Sequence, residues 1–208
     1  MSVLKRKERE KQARRQEILR ATIEAFKKYG FVKTTMEMIA NESSLAVGTI
    51  YRYFTSKEEL FVAIVFNAIS LMHNRLEEIV KTSAPAQHKL ENTWNLFFDF
   101  YEENPMYYQA LLFLHDPGFS DAFSESMHET VSRFSGKNFR LLSQMIKEGM
   151  ADKTFRSGNS REVADFLWGT FVGLVHLTET RKNFNIKPND LKKLHHNTLA
   201  WIKRAVLL

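Results

Sequence analysis

The sequence predicts an all-α protein of about nine helices. Three observations carry that expectation. Only four prolines and eight glycines interrupt 208 residues, which leaves long stretches without a breaker. Apolar residues recur at helical spacing, and no stretch alternates as a convincing strand would. Ser, Thr, Asn or Asp stands where most of these periods begin, the position of a helix N-cap.

The elements follow in order. Residues 1–13 hold almost no apolar side chain and read as a basic flexible arm, or as a frayed start to the first helix. From Arg14 the period is helical, with Ile18, Thr22, Ala25, Phe26 and Tyr29 on one face and Gly30 as the left-handed residue after the end. Thr34 and Glu37 have capping-box spacing and open a short second helix with Met36, Ile39 and Ala40 inward. A tight link, Ser44-Leu45-Ala46, leads to a third short helix from Val47 or Gly48. Ser56 and Glu59 form a second box, which starts a long helix over 56–82 carrying Leu60, Phe61, Ile64, Val65, Ala68, Ile69, Met72, Leu76 and Ile79. Helices then follow over 86–103, from Pro105 to about His115 and, after a turn at Asp116-Pro117-Gly118, from Ser120 to about Gly149. Asn159 or Ser160 caps another helix, and Pro188-Asn189-Asp190 opens the last.

Composition narrows the function. There is no cysteine, which excludes disulfides and thiolate chemistry and fits a reducing cytoplasm. The charged N-terminus has no apolar core of a secretory signal, and no apolar run is long enough for a membrane helix. The net charge of +6 is unevenly spread. Residues 1–60 hold 13 Lys and Arg against 8 Asp and Glu, a net of +5, and the rest hold 17 against 16. That asymmetry points to a polyanionic partner for the N-terminal part, either nucleic acid or an anionic membrane surface.

Two short helices joined by a tight turn and held by a preceding helix make the helix-turn-helix pattern. In VGTIYRYF, Ile50 and Phe54 lie within about 40° on a helical wheel and anchor the third helix. Gly48, Thr49 and Arg52 point the opposite way, with Val47, Tyr51 and Tyr53 flanking. Small residues at the helix start allow close approach to base edges, Thr49 can hydrogen-bond or touch a thymine methyl, and tyrosine hydroxyls and cations suit phosphate oxygens.

With these residues in place, the sequence resembles the TetR family of bacterial transcription regulators. The resemblance rests on Phe26-Lys27-Lys28-Tyr29-Gly30-Phe31, Thr34-Thr35-Met36-Glu37-Met38-Ile39-Ala40, Val47-Gly48-Thr49-Ile50-Tyr51-Arg52-Tyr53-Phe54 and Ser56-Lys57-Glu58-Glu59-Leu60, and covers about residues 14–62. It departs from the family at the inter-helix turn, where Ser44 stands at a usual glycine position, so Ser44 is expected in a mildly strained left-handed conformation. The resemblance implies DNA contacts at Thr34, Thr35, Met36, Val47, Gly48, Thr49, Tyr51, Tyr53 and Lys57, to which geometry adds Arg52. The basic arm (Lys5, Arg6, Lys7, Arg9, Lys11, Arg14, Arg15) is expected to track DNA or to remain a solubilising tail.

It also implies a DNA-binding domain over 14–58 and a helical ligand-binding and dimerisation domain over 59–208. Gly169 and Gly173 are four apart and permit close helix approach; Phe166, Leu177, Leu194, Thr198, Trp201 and Ile202 complete an expected four-helix dimer seam. The aromatic middle of the chain suggests an apolar pocket lined by Trp94, Phe97, Phe98, Tyr101, Tyr108, Phe113, Met145, Trp168 and His176, with His115, Gln144 and Thr170 as further polar candidates. No catalytic motif is present, the single Glu125-Ser-Met-His128 lacks a second copy, and adjacent His195 and His196 splay too far apart to chelate. The expected function is therefore a cytoplasmic homodimeric repressor, without enzyme activity, cofactor or metal, released from a palindromic operator on double-stranded DNA by a small hydrophobic effector. The rival is a helical interaction protein whose basic N-terminus binds an anionic membrane surface.

Overall fold

The computed structural model describes residues 3–113, 124–187 and 190–208; of residues 3, 4, 113, 126 and 127 it describes only the backbone. The predicted turn at Asp116-Pro117-Gly118, the Ser120 cap and His115 lie outside the described residues, as do the side chains of Phe113 and Met127. Among the described residues there are nine helices: α1 (Val3–Tyr29), α2 (Met36–Glu42), α3 (Val47–Tyr51), α4 (Lys57–Lys81), α5 (Ala86–Glu103), α6 (Pro105–Phe113), α7 (Glu125–Ala151), α8 (Ser160–Asn183) and α9 (Leu191–Val206). The only strand-like pairing described is a one-residue antiparallel bridge between Phe155 and Leu207.

The chain divides into two compact units. One takes in residues up to Ala68 together with Met106–Val131, and the other takes in Ile69–Pro105 with Ser132–Leu208. The predicted boundary at residue 58 therefore falls too early. The reason is packing: the first turns of α4 carry Leu60, Phe61, Ile64 and Val65, all fully buried, into the N-terminal core. Phe26, Phe31 and Phe61 form a ring cluster there, with centroids 5.2–6.3 Å apart.

Of the two readings of the arm, the start of the first helix is the one that the described residues take. Residues 3–13 continue α1 as helix rather than forming a separate flexible segment. Side-chain pairs at i,i+4, Arg6 with Glu10 and Gln12 with Glu8, both at 2.8 Å, support it. Gly30 ends α1 at φ +75°, and its N–H donates to the Phe26 carbonyl.

In the second unit α5, α8 and α9 pack around Trp94 and Phe171, each almost wholly buried. The close of α7 depends on Gly149, because an added Cβ would lie 2.5 Å from the Phe155 ring. Phe155 in turn sits where the bridge holds the end of α9 to the α7–α8 connection, with Arg156 N–H donating to the Val206 carbonyl at 2.8 Å.

Candidate nucleic-acid interface

The α1–α2 connection is built from backbone carbonyls and two threonines. Thr35, not Thr34, caps α2, accepting the Met38 N–H on its hydroxyl at 3.3 Å. Thr34 lies one residue too early and is 1% exposed; its hydroxyl donates to the Gly30 and Ala25 carbonyls. The expected side-chain contact of Thr34 with DNA is therefore replaced by an internal role. Met36 is 7% exposed and belongs to the same core, so its side chain is not presented either.

The turn between α2 and α3 is a Schellman motif. Leu45 N–H donates to the Ala40 carbonyl at 2.9 Å and Ser44 N–H to the Asn41 carbonyl at 3.1 Å. Ser44 occupies the left-handed position at φ +54°, as its departure from glycine led one to expect. The neighbouring Ser43 hydroxyl donates back to the Ile39 and Ala40 carbonyls, which closes α2 without a glycine.

α3 is shorter than expected, five residues, but Tyr53 and Phe54 N–H groups both donate to the Ile50 carbonyl, so the helical turn runs on to Phe54. Ile50 and Phe54 are 0% and 1% exposed, which fixes the helix by one face. The opposite face carries exposed Gly48, Tyr51 and Arg52, with Val47, Thr49 and Tyr53 half-buried. Nothing lies within 4 Å of a Cβ added to Gly48, so the fold itself does not demand glycine there. Arg52 lies beside Thr49 and donates to its hydroxyl at 3.3 Å, joining a cation to the residues at the helix start.

Two cations, Lys57 expected at DNA and Arg15 of the arm left open between DNA and a solubilising tail, make contacts inside the unit. Arg15 donates to the Tyr53 carbonyl at 3.2 Å and lies over the Phe54 ring at 4.2 Å, fastening the end of the α3 turn to α1. Lys57 Nζ donates to the carbonyls of Phe31, Val32 and Thr34 at 3.0, 3.0 and 3.2 Å, 4.8 Å from the centroid of the Phe31 ring. Its ammonium, expected at a phosphate, is turned here to the α1–α2 connection. The second capping box is also altered: Ser56 does accept the Glu59 N–H, but the Glu59 carboxylate reaches back to Thr55, accepting from its N–H and hydroxyl at 2.6 and 2.7 Å.

Residues 18–64 match the family model for bacterial regulatory proteins, tetR family. The TetR family match is to this N-terminal segment of the chain. Most of the relatives the chain matches are HTH-type transcriptional regulators by name. An uncharacterized HTH-type transcriptional regulator, YhgD of Bacillus subtilis, is 35% identical over 72 residues, 35% of this chain and 38% of that protein. The HTH-type transcriptional activator FasR of Mycolicibacterium smegmatis is 23% identical over 192 residues, 81% of this chain and 86% of its own length. Among solved structures, FadR of Bacillus subtilis in complex with stearoyl-CoA superposes with a TM-score of 0.73 at 20% identity, covering 90% of this chain and 96% of that one, a likeness of fold.

In the second unit most of the residues expected to line a pocket pack on one another. Trp94 is 1% exposed; its ring stacks on His195 at 5.1 Å and meets Phe171 edge-on at 5.9 Å. Phe97 stands edge-on to Trp168 at 5.2 Å, and Phe98 lies 4.8 Å from His195. Met145 is buried beneath the Thr93 hydroxyl, and the Tyr101 hydroxyl donates to Glu179 at 2.7 Å. Tyr108 is buried in the N-terminal unit, apart from this layer in the division of the chain. Of the polar candidates, Gln144 is exposed and donates to Glu148, and Thr170 is half-buried.

His176 is exposed, which corrects its expected place in the pocket; the buried histidine is His195. The two sit on different helices, α8 and α9. His195 Nε2–H donates to the Trp94 carbonyl at 3.0 Å, and Trp94 Nε1–H returns a bond to the His195 carbonyl at 3.0 Å. Burial lowers the His195 pKa from its ordinary value, against the opposing pull of the Trp94 carbonyl and the charge of Asp99.

Among charged and polar neighbours, α8 and α9 expose three large apolar side chains. Phe166, Leu177 and Trp201 are 48%, 55% and 60% exposed, and space is open above Gly169 and Gly173. Leu194 is half-buried. Thr198 and Ile202 face inward, 4% and 1% exposed, and leave the expected seam: the Thr198 hydroxyl is turned back onto the Leu194 carbonyl. No helix among the described residues is long and apolar enough to cross a membrane.

Proposed function

We propose that this regulator acts as a homodimer that sets two α3 helices into successive major grooves of a palindromic site and is released by a small, largely apolar effector. The observation that carries this reading is the division of α3: Ile50 and Phe54 are sealed in the core while Val47, Gly48, Thr49, Tyr51, Tyr53 and Arg52 are left on the far side. A five-residue helix gains nothing in stability from such a face, whereas groove recognition needs small residues near the bases and hydroxyls or cations near phosphates. Thr35, exposed at the start of α2, extends that face.

Dimerisation is supported by the ridge of Phe166, Gly169, Gly173 and Leu177 on α8 beside Trp201 on α9, a face of large apolar groups around two positions without a side chain. For the effector, the relative solved with stearoyl-CoA suggests a long acyl chain or its thioester. An effector must favour a form that binds DNA poorly, or it shifts nothing. Repression is the reading carried here, although FasR, an activator by name, belongs among the relatives.

Selection from a random duplex library tests the proposal. The wild-type protein should enrich a palindrome with half-sites about 34 Å apart. Stearoyl-CoA should weaken binding to it, and Tyr51→Ala should weaken it about tenfold or more while unfolding as the wild type does. Enrichment without symmetry, or a monomer by sedimentation, would remove the dimer; binding to anionic vesicles with no enriched duplex would favour the membrane-surface reading.

A further inference from the structure

We propose that the open groove between α7 and α8 is a binding site for a nucleotide-sized ligand with several phosphates. The groove has a volume of about 750 Å³, and both of its walls belong to the second unit. That volume lies within the usual range of small-molecule sites. Arg140 and Lys147 line it from α7 and Arg161 from α8, against one carboxylate, Asp165. Among the described residues none of these three cations has a carboxylate within ion-pair distance. Elsewhere in the same unit Arg75, Lys182 and Lys203 each hold one. The acids that follow Lys147 and Arg161 in sequence are engaged by amides instead. Gln144 Nε2–H donates to Glu148 at 3.1 Å, and Asn159 Nδ2–H donates to Glu162 at 3.0 Å. The groove thus gathers positive charge with no internal partner, a concave surface that draws anions.

The walls are fixed while the cations are spread. The hydroxyls of Ser143 and Ser160 lie 2.8 Å apart and pin α7 to the first turn of α8. Arg140 and Lys147 stand two turns apart on α7, about 10 Å along its axis. Arg140 also leans away from Lys147: its Nη1 lies 3.2 Å from where Gly136 would carry a Cβ, one turn nearer the start of α7. One phosphate cannot serve both cations, whereas a ligand with several can. Phe139 lines the groove among them and offers a planar base an aromatic surface. Arg161 and Asp165 share one flank of α8. On a helical wheel that flank lies roughly 120° from Phe166, Gly173 and Leu177, so a ligand here leaves the proposed dimer ridge uncovered. Trp168, the next residue on that flank, belongs to the aromatic layer through its 5.2 Å contact with Phe97. Two sources of phosphates therefore fit: a free nucleotide, and the coenzyme A head of an acyl thioester whose tail lies along that layer. Only the second source depends on the proposed acyl effector.

Calorimetric titration of the full chain with ATP, coenzyme A and stearoyl-CoA tests the site. The wild type should bind at least one of the three. Arg140→Ala and Arg161→Ala should each weaken that binding about tenfold, because each removes a charge-assisted contact. Lys192→Ala, which removes an exposed cation of α9, should leave it unchanged. All three variants should unfold as the wild type does, since none loses an ion pair. With this pattern, binding that includes ATP assigns the groove to a free nucleotide, and binding confined to the coenzyme A compounds assigns it to a thioester head. No binding of any of the three would overturn the site, and so would a loss in Lys192→Ala as large as in the arginine variants. Stearoyl-CoA binding that both arginine variants retain in full would overturn the site and leave the effector reading standing.

Discussion

The two units of this protein fasten distant segments differently where burial differs. Lys203 meets Glu91 at a part-buried edge of the second unit, but the buried joint of that unit is neutral. In the N-terminal unit the fasteners are cations, Lys57 on three carbonyls and Arg15 on the Tyr53 carbonyl and the Phe54 ring. In the second unit α5 and α9 are joined by a neutral reciprocal pair, Trp94 and His195, each donating to the other's carbonyl. The difference follows burial. Lys57 and Arg15 are half-buried, and a charge there keeps part of its hydration while its bonds gain from being charge-assisted. Trp94 and His195 are 1% and 6% exposed, where an unpaired charge would be costly and a neutral imidazole is the stable form. Near the surface a fastener can be a cation; in the core it must be neutral and satisfied on both sides.

Three measurements would break or sharpen that contrast. The largest effect is expected at the buried pair. Trp94→Ala removes the ring stacked on His195, the contact with Phe171 and a buried hydrogen bond, and should cost about 3–5 kcal/mol in urea unfolding. A loss below about 1 kcal/mol would mean that the layer collapses around the gap and that the pair is not what joins α5 to α9.

Next comes the pH dependence of the same pair. With its pKa lowered in the folded state, His195 resists the proton that the unfolded chain accepts. Its stabilising effect is complete above the ordinary histidine range and is lost as pH falls through that range toward the folded pKa. Wild-type stability should therefore decline between about pH 7.5 and 5.5, and His195→Leu, less stable at neutral pH, should decline less steeply. Glu91, held below the usual carboxylate range first of all by its bond from Lys203, titrates beneath that window. Equal slopes in the two proteins would show that His195 is not the group that senses pH.

The smallest effect belongs to the backbone of the other unit. Ser44→Gly relieves a left-handed residue at φ +54° in the α2–α3 turn. The relief outweighs the added freedom of the unfolded chain, so a gain of about 0.5–1 kcal/mol is expected. A loss would mean that the Ser44 side chain contributes more than its backbone costs.

The helices and the inward faces were legible because they rest on local periodicity: Ile18, Ile39, Ile50, Phe54, Leu60 and Trp94 are all buried as their spacing predicts. The left-handed Ser44 came from the family resemblance, which puts glycine at that position, and the Schellman hydrogen bonds supply the physical reason. What local sequence could not supply was the partner of a polar side chain. Thr34 and Thr35 are both plausible caps, and only the carbonyls at the end of α1 decide between them. Lys57 meets acceptors 23 to 26 residues away, and Trp94 meets His195 across 101. The 100° splay of His195 and His196 was correctly read, but which of the two turns inward depends on the phase of α9 against α5. Thr34, Met36 and Lys57 turn inward for one reason: a residue type suited to DNA is equally suited to carbonyls and cores nearby.

The outward end of α1 has one more consequence, best put in helix–coil terms. Residues 5–13 are all exposed and carry Lys5, Arg6, Lys7, Arg9 and Lys11 among acidic partners. An isolated peptide of that length would be mostly coil, because starting a helix carries a statistical weight of only about 0.001. Here the buried turns from Ile18 onward already supply the start, and each further residue needs only propagation. Helix content should then fade residue by residue toward Val3 instead of melting in one step. Its length becomes a continuous variable, extended when anions screen the repulsion among the cations and shortened when they are removed.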